Sequence, residues 1–146
     1  MNKEVSIKDL ESVSYFSNED LVDVVNAAIF LKKPLLIEGP AGTGKTFLAK
    51  AISSLFNLEL IRLQCHEGID EDKAVYEWNY KKQLLSIQQD KNAENLFDEK
   101  YLIKRPILNA LTAEKDSLFL IDEIDRSDED SKHYYLKFLQ KSSHYT

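Results

Sequence analysis

The stretch GPAGTGKT, from Gly39 to Thr46, limits the folds open to this chain more than any other feature. It matches the pattern G-x-x-x-x-G-K-[ST] and stands between a short apolar run and a segment that favours a helix. Three of the four glycines of the chain lie in it. A chance match is expected in only about one chain of this length in several hundred. The stretch therefore predicts a phosphate-binding loop between a strand and a helix.

The residue types of this loop suit a nucleoside triphosphate and Mg²⁺. Backbone N–H groups and the N-terminus of the following helix attract phosphate oxygens. Gly42 and Gly44 permit a close approach that a Cβ would obstruct. Lys45 can reach the β- and γ-phosphates, where it also serves catalysis, and the Thr46 hydroxyl can bind Mg²⁺. The residues predicted to bind ATP are Gly39, Pro40, Ala41, Gly42, Thr43, Gly44, Lys45 and Thr46.

A second motif, LFLIDEIDR, combines an apolar run with two acids at its end. A strand over 118–121 would deliver Asp122 and Glu123 to the edge of a parallel sheet, where ligands bind in open α/β folds. We expect Asp122 to hold Mg²⁺ and Glu123 to orient and polarise the attacking water. Asp125 and Arg126 are interpreted as a solvated pair at a helix start, with a role at a subunit boundary as the alternative.

Strands that alternate with helices indicate a three-layer α/β domain with a parallel sheet. We divide the chain into an N-terminal arm or short helix at 1–16 and a nucleotide-binding domain at 17–146. Ala74, Val75 and Trp78 could share a helical face between the two motifs. Strands are predicted at 35–37, where both faces should be buried, at 58–63 and at 118–121. Helices are predicted from a cap at Ser17 to Lys33, at 46–56 with Phe47 buried, at 103–111 with entry at Pro106, and after a cap at Ser127.

Composition excludes several other classes of protein. The net charge of −6 and the lack of a basic stretch argue against binding to nucleic acid. No apolar run approaches the roughly 20 residues that cross a bilayer, so we expect no membrane insertion. Cys65 is the only cysteine, which fits a reducing cytoplasm. The three histidines lack the spacing of metal ligands.

The chain resembles the AAA+ ATPases, and within them a branch of the MoxR family. Four blocks carry the resemblance: PLLIEGPAGTGKT, LQCHEGIDEDKAVYEWNYKKQLL, YLIKRPILNAL and LFLIDEIDRSDED. They span most of the chain between about residues 18 and 140, and the second block is the most selective. The resemblance implies nucleotide-dependent homo-oligomeric rings that use ATP hydrolysis to remodel or activate a partner, commonly one with a von Willebrand factor A domain.

The resemblance also implies a sheet of five parallel strands in the order 5-1-4-3-2 and a helical lid. The sequence supplies strands one to three, so we expect a C-terminally truncated domain that lacks the strand between the phosphate-loop strand and the acidic strand. A strand without a neighbour leaves backbone N–H and C=O groups without hydrogen-bond partners, which lowers the stability of the fold. We therefore expect marginal stability and slow hydrolysis from these 146 residues.

Two alternatives remain beside an ATPase. The chain could be a non-hydrolysing remnant that binds nucleotide or joins other subunits. A small-molecule kinase with the same loop is disfavoured, because the Asp122–Glu123 pair and the blocks between the motifs are typical of ring ATPases.

Overall fold

The computed structural model describes residues 4–66, 74–89 and 95–142. The helices are α1 (Ile7–Ser12), α2 (Glu19–Leu31), α3 (Lys45–Phe56), α4 (Tyr80–Gln89), α5 (Pro106–Leu111) and α6 (Glu129–Ser142). The strands are β1 (Glu59–Gln64), β2 (Tyr76–Trp78), β3 (Leu102–Lys104) and β4 (Ser117–Asp122). Short 3₁₀ turns cover Glu99–Tyr101 and Ile124–Arg126.

Strands β1 and β4 form a parallel pair, with a register that runs from Glu59 opposite Ser117 to Gln64 opposite Asp122. Both strands were predicted within a residue or two of their bounds, since each is an apolar run of strand length. The pairing places the carboxyl ends of the two strands side by side. Polar residues at these ends therefore meet at one edge of the sheet.

The predicted strand at 35–37 is wrong. In the described part of the chain, the sheet of β1 and β4 contains only these two strands, and 35–37 has no strand assignment. Leu36 is 65% exposed, not buried on both faces. An apolar run becomes a strand only when a neighbour completes its backbone hydrogen bonds, and no described segment lies beside this one in a ladder. The expected three strands of the parallel sheet are therefore reduced to two.

Two hydrophobic clusters lie on opposite faces of β4, because successive side chains of a strand point in opposite directions. Leu118 packs with helices α1, α2 and α3, whereas Phe119 and Ile121 pack in the second cluster. The buried residues of the first cluster are Val5, Leu10, Tyr15, Val22, Val25, Leu48, Ala51 and Ile52. Those of the second are Leu63, Cys65, Ala74, Ile107 and Tyr135. This arrangement agrees with the predicted three-layer α/β class.

Helix α3 follows the prediction in its bounds but not at Phe47. Leu48, Ala51 and Ile52 are buried, whereas Phe47 is 44% exposed. The Phe47 ring stacks on Tyr15 with the ring centres 6.0 Å apart. Tyr15 follows α1, so the N-terminal segment covers the start of α3.

Two helix caps differ from the prediction by one residue. Helix α2 is capped by Asn18, whose side chain accepts a hydrogen bond from the Leu21 N–H at 3.1 Å, and not by Ser17. At α6, Asp128 accepts from the Ser131 N–H at 2.8 Å, whereas Ser127 ends the preceding 3₁₀ turn. Hydrogen bonds from the Ser131 N–H and hydroxyl hold the pKa of Asp128 below its usual value. All of these residues are good caps, and the choice depends on where the chain enters the helix.

The segment between the two motifs contains more strand than predicted. β2 and β3 form an antiparallel pair in which Trp78 lies opposite Leu102. Trp78 is therefore in a strand, and the helical face shared with Ala74 and Val75 is wrong. The helix predicted over 103–111 begins at its predicted entry, Pro106, whereas the residues before it form β3 at 102–104. Residues 67–73 and 90–94, which lie between the two motifs, are outside the described residues.

Asn26 joins the N-terminal segment to α2, and we predict that it stabilises the domain. Its side-chain amide donates to the Val5 carbonyl and its oxygen accepts from the Val5 N–H, both at 2.8 Å. Val5 is 4% exposed. Asn26→Ala should lower the free energy of unfolding by about 1–3 kcal/mol, because two backbone groups lose their partners. Urea unfolding followed by circular dichroism would measure this change in the free energy of unfolding. Asn57→Ala is unsuitable as a control, because Asn57 has a left-handed backbone that alanine disfavours.

The matched control is Asn18→Asp, which keeps a capping oxygen at α2 and should leave the urea midpoint nearly unchanged. An equal midpoint for Asn26→Ala and the wild type would contradict the role assigned to the Val5 contacts.

In the part of the chain that the structure describes, no helix is both long enough and apolar enough to span a membrane.

Candidate functional site

The loop from Gly39 to Gly44 leads directly into α3, with Gly44 as the residue before the first helical turn. Gly42 and Gly44 have φ values of 81° and 86°, a region that side chains disfavour. A Cβ on Gly44 would also meet the Tyr15 ring at 3.6 Å. The backbone torsions thus explain the glycines at these two positions, and they leave the N-terminus of α3 open to a ligand.

The Lys45 side chain folds back over the loop. Its ammonium group donates to the carbonyl oxygens of Gly39 and Pro40, both at 2.7 Å. Thr43 also donates to the Pro40 carbonyl, at 2.9 Å. An ammonium group has three donors. The loop therefore holds Lys45 in place with two of them, at the position from which the motif predicts contact with phosphate.

An open groove of about 330 Å³ lies in front of this loop. Its lining residues are Gly42, Gly44, Lys45, Thr46, Phe47 and Lys50. Two lysines and the free N–H groups of a helix start give this groove a positive character. Such a groove suits a phosphate group.

Thr46 and Asp122 are brought together although they lie 76 residues apart in the chain. The Thr46 hydroxyl donates to Asp122 Oδ2 at 3.0 Å and lies 3.2 Å from Oδ1. The Asp122 side chain is only 13% exposed. The end of β4 is thereby joined to the start of α3, as the two motifs predict for a shared site.

Arg62 is a second partner of Asp122 and was not predicted. Its Nε and Nη2 atoms donate to Asp122 Oδ2 at 3.0 and 2.7 Å. Arg62 lies two residues before Gln64, the residue opposite Asp122 in the register, so the two share one face of β1. This face is the one that bears the site.

Glu123 lies beside Asp122 with a different set of partners. Its backbone is left-handed, with φ 57° and ψ 40°. Its Oε2 atom accepts from the Gln64 side chain at 3.3 Å and is 3.3 Å from Arg126 Nη1. The Glu123 side chain is 35% exposed. Arg126 thus forms an ion pair with Glu123. This contact does not decide between the two interpretations of Asp125 and Arg126, a solvated pair at a helix start or a role at a subunit boundary.

The donor atoms present fit Mg²⁺ only in company with a phosphate ligand. Within the described ranges, no group of three or more His, Cys, Asp or Glu side chains could hold a metal ion. The Thr46 hydroxyl and the Asp122 carboxylate are hard oxygen donors, which Mg²⁺ prefers. In nucleotide sites Mg²⁺ takes one or two protein ligands and fills its other positions with phosphate oxygens and water. The pair therefore fits Mg²⁺ that arrives with a nucleotide.

Cys65 follows β1 directly but is not part of the open site. It is fully buried, and burial raises the pKa of its thiol. A neutral, inaccessible thiol is a poor nucleophile. Cys65 therefore serves packing rather than chemistry.

Of the predicted site residues, Gly42, Gly44, Lys45 and Thr46 line the groove, and Thr46 contacts Asp122. Glu123 follows Asp122 but contacts Gln64 and Arg126. Arg62 and Gln64, which contact the two acids, were not predicted. The sequence contained part of the information needed to predict Arg62 and Gln64, because polar residues at alternate positions near the end of a predicted strand must share a face. What was missing is the register, which sets Gln64 opposite Asp122.

In a comparison with known protein families, residues 34–133 match the AAA domain of the dynein-related subfamily. Similar curated proteins include an uncharacterized protein of Staphylococcus epidermidis, 26% identical over 80% of this chain and 40% of its own length. Another, from Staphylococcus haemolyticus, is 28% identical over 75% of this chain and 37% of its own length. The chain thus spans about two-fifths of the length of these relatives. No solved structure shows significant similarity.

The match covers more than half of the chain and contains both the phosphate-binding loop and the Asp122–Glu123 pair. The groove, the loop torsions and the contact of Thr46 with Asp122 lie within the matched residues. On this evidence the chain belongs to the AAA family of P-loop ATPases, with an AAA domain of the dynein-related subfamily.

Proposed function

We propose that this chain binds ATP with Mg²⁺ in the groove at the start of α3 and forms the nucleotide-binding part of an ATPase. The observation that carries this proposal is the contact between Thr46 and Asp122, which unites the two motifs at one site. The loop amides, Lys45 and the α3 N-terminus would hold the phosphates. Gly39, Pro40, Ala41, Gly42, Thr43 and Gly44 contribute the backbone of this cradle.

The roles of the side chains follow from their chemistry. Mg²⁺, when bound, would neutralise charge on the phosphate oxygens, and Thr46 and Asp122 are the residues that would hold it. Lys45 would exchange its carbonyl partners for phosphate oxygens and stabilise the charge that develops there. Glu123 would accept a hydrogen bond from the attacking water and orient it. Its moderate exposure leaves room for that water.

At a finer level, we propose a MoxR-like ATPase that assembles into a homo-oligomeric ring and remodels or activates a partner protein. A partner with a von Willebrand factor A domain fits this proposal. The support is the resemblance of the four blocks named above. A cytoplasmic location fits the single buried cysteine.

A second candidate is a module that binds nucleotide without hydrolysing it efficiently. This candidate is favoured by two features of the described residues: the parallel sheet has two strands, and the 35–37 segment is not paired as a strand. No described strand of this sheet leads into the loop that holds Lys45, which is a weak basis for the fixed geometry that hydrolysis requires.

Both candidate functions require nucleotide binding at the loop, and the variant Lys45→Ala tests this requirement. The change should weaken the affinity for a fluorescent ATP analogue by at least about tenfold, because a charge-assisted phosphate contact is lost. Lys81→Ala is the matched control, since Lys81 is an exposed lysine of another helix, α4, and does not line the groove. It should change the dissociation constant by less than about threefold. Equal affinities for the wild type and Lys45→Ala would contradict the proposed binding mode.

A further inference from the structure

Asp122 has a cationic partner in the structure, Arg62. Arg62 approaches it through two donor atoms, and both reach the same oxygen, Oδ2, at 3.0 and 2.7 Å. The Thr46 hydroxyl is 3.0 Å from this oxygen as well. A carboxylate oxygen has about two lone-pair sites. Three donors therefore crowd the oxygen of the residue that would face Mg²⁺.

The guanidinium group and a divalent cation would compete for this carboxylate. Arg62 is permanently charged, and a bond to the metal would place the two cations within a few ångströms of each other. Their repulsion is appreciable because the carboxylate is 13% exposed and incompletely screened. Arg62 itself is 42% exposed, so its side chain can leave for solvent without a large desolvation cost.

The other cations near the site have different partners. Lys45 donates to the carbonyl oxygens of Gly39 and Pro40, and Arg126 contacts Glu123. Among the described residues, Arg62 is the cation that forms an ion pair with Asp122. Without it, the largely buried carboxylate would keep the Thr46 hydroxyl as its one side-chain donor among the described residues, at a cost in stability.

We propose that Arg62 is a positioning residue that acts as an internal counter-ion of Asp122 and is displaced when nucleotide-bound Mg²⁺ reaches this carboxylate. Arg62 thereby keeps Asp122 in place for the metal and lowers the affinity of the site for it. The inference rests on the proposed function, because it concerns the metal dependence of nucleotide binding at the same groove. It predicts that loss of Arg62 strengthens the contribution of the metal to that binding.

The test measures the dissociation constant of a fluorescent ATP analogue for the full chain, once with EDTA and once with Mn²⁺. The ratio of the two constants reports how much the metal adds to binding. In Arg62→Gln this ratio should rise about tenfold over the wild type, because the competing charge is gone. The constant in EDTA should stay within about twofold, since the loop and Lys45 bind the phosphates without the metal. Electron paramagnetic resonance of bound Mn²⁺ gives a direct second readout.

Two further variants make the test specific. Arg62→Lys keeps the charge but lacks the planar fork of donors, and its ratio should rise by about two- to threefold. Arg105→Gln is the matched control, because it removes another arginine from an ion pair, with Glu77, away from the groove. Its ratio should equal that of the wild type. Circular dichroism establishes that each variant is folded, and Arg62→Lys decides the question if Arg62→Gln does not fold.

The outcomes separate the inference from the proposed function. An unchanged or lower ratio in a folded Arg62 variant, with nucleotide still bound, would overturn the counter-ion role alone. Failure of the folded wild type to bind nucleotide under either condition would overturn the proposed function and this inference with it.

Discussion

Glu123→Gln should slow ATP hydrolysis by at least about 100-fold while the affinity for ATP changes by less than about threefold. Glutamine has nearly the same shape but lacks the negative charge that polarises a water molecule. The side chain of Glu123 does not contact the loop or Thr46; its contacts are with Gln64 and Arg126. The groove that binds the phosphates should therefore be unaffected. Single-turnover phosphate release, with protein in excess over ATP, would measure the rate.

The matched control for this prediction is Glu129→Gln. Glu129 is also in an ion pair with a residue three positions away, Lys132, but it lies in α6 outside the groove. Its hydrolysis rate should equal that of the wild type. If Glu123→Gln hydrolysed ATP as fast as the wild type, another group would have to orient the water. If the wild type bound ATP but released no phosphate in single-turnover conditions, the non-hydrolysing module would be the better description.

The elements that could be predicted from the sequence are those with strong local signals. The bounds of α3 follow from the glycine-rich loop before it and from the helical spacing of Leu48, Ala51 and Ile52. β1 and β4 are apolar runs that end in polar residues, and both were predicted. The pairing of Thr46 with Asp122 followed from the motifs, since each predicts a ligand of the same ion.

The rest depended on contacts that the sequence does not display. The run at 35–37 is as apolar as a buried strand, but a strand also needs a neighbour with which to exchange hydrogen bonds. Trp78 stands at helical spacing from Ala74, yet its backbone pairs with Leu102, 24 positions later. Arg62 and Gln64 joined the site only through the register of β1 against β4. The local pattern of a strand shows which of its side chains share a face, but not which residue of a distant strand lies opposite each of them.

Ile107→Ala should lower the free energy of unfolding by about 2–4 kcal/mol, because it removes a buried side chain and leaves a cavity. Ile107 is 1% exposed and packs in the cluster that contains Leu63, Cys65 and Tyr135. Urea unfolding monitored by circular dichroism would measure the change. Ile103→Ala is the matched control, since Ile103 is 38% exposed and its loss should cost less than about 1 kcal/mol.

The Ile107 prediction also concerns the nucleotide site. The cluster around Ile107 packs against β1 and β4, the two strands whose ends carry Arg62 and Asp122. Leu63 faces the cluster, whereas its neighbours Arg62 and Gln64 lie on the other face of β1 and contact Asp122 and Glu123. A cavity behind these two strands should loosen the position of Asp122 as well as the fold. At urea concentrations where Ile107→Ala is still folded, its nucleotide affinity should therefore fall more in the presence of Mn²⁺ than in EDTA. Equal losses in both conditions would show that the cluster stabilises the domain without positioning the metal-binding end of β4.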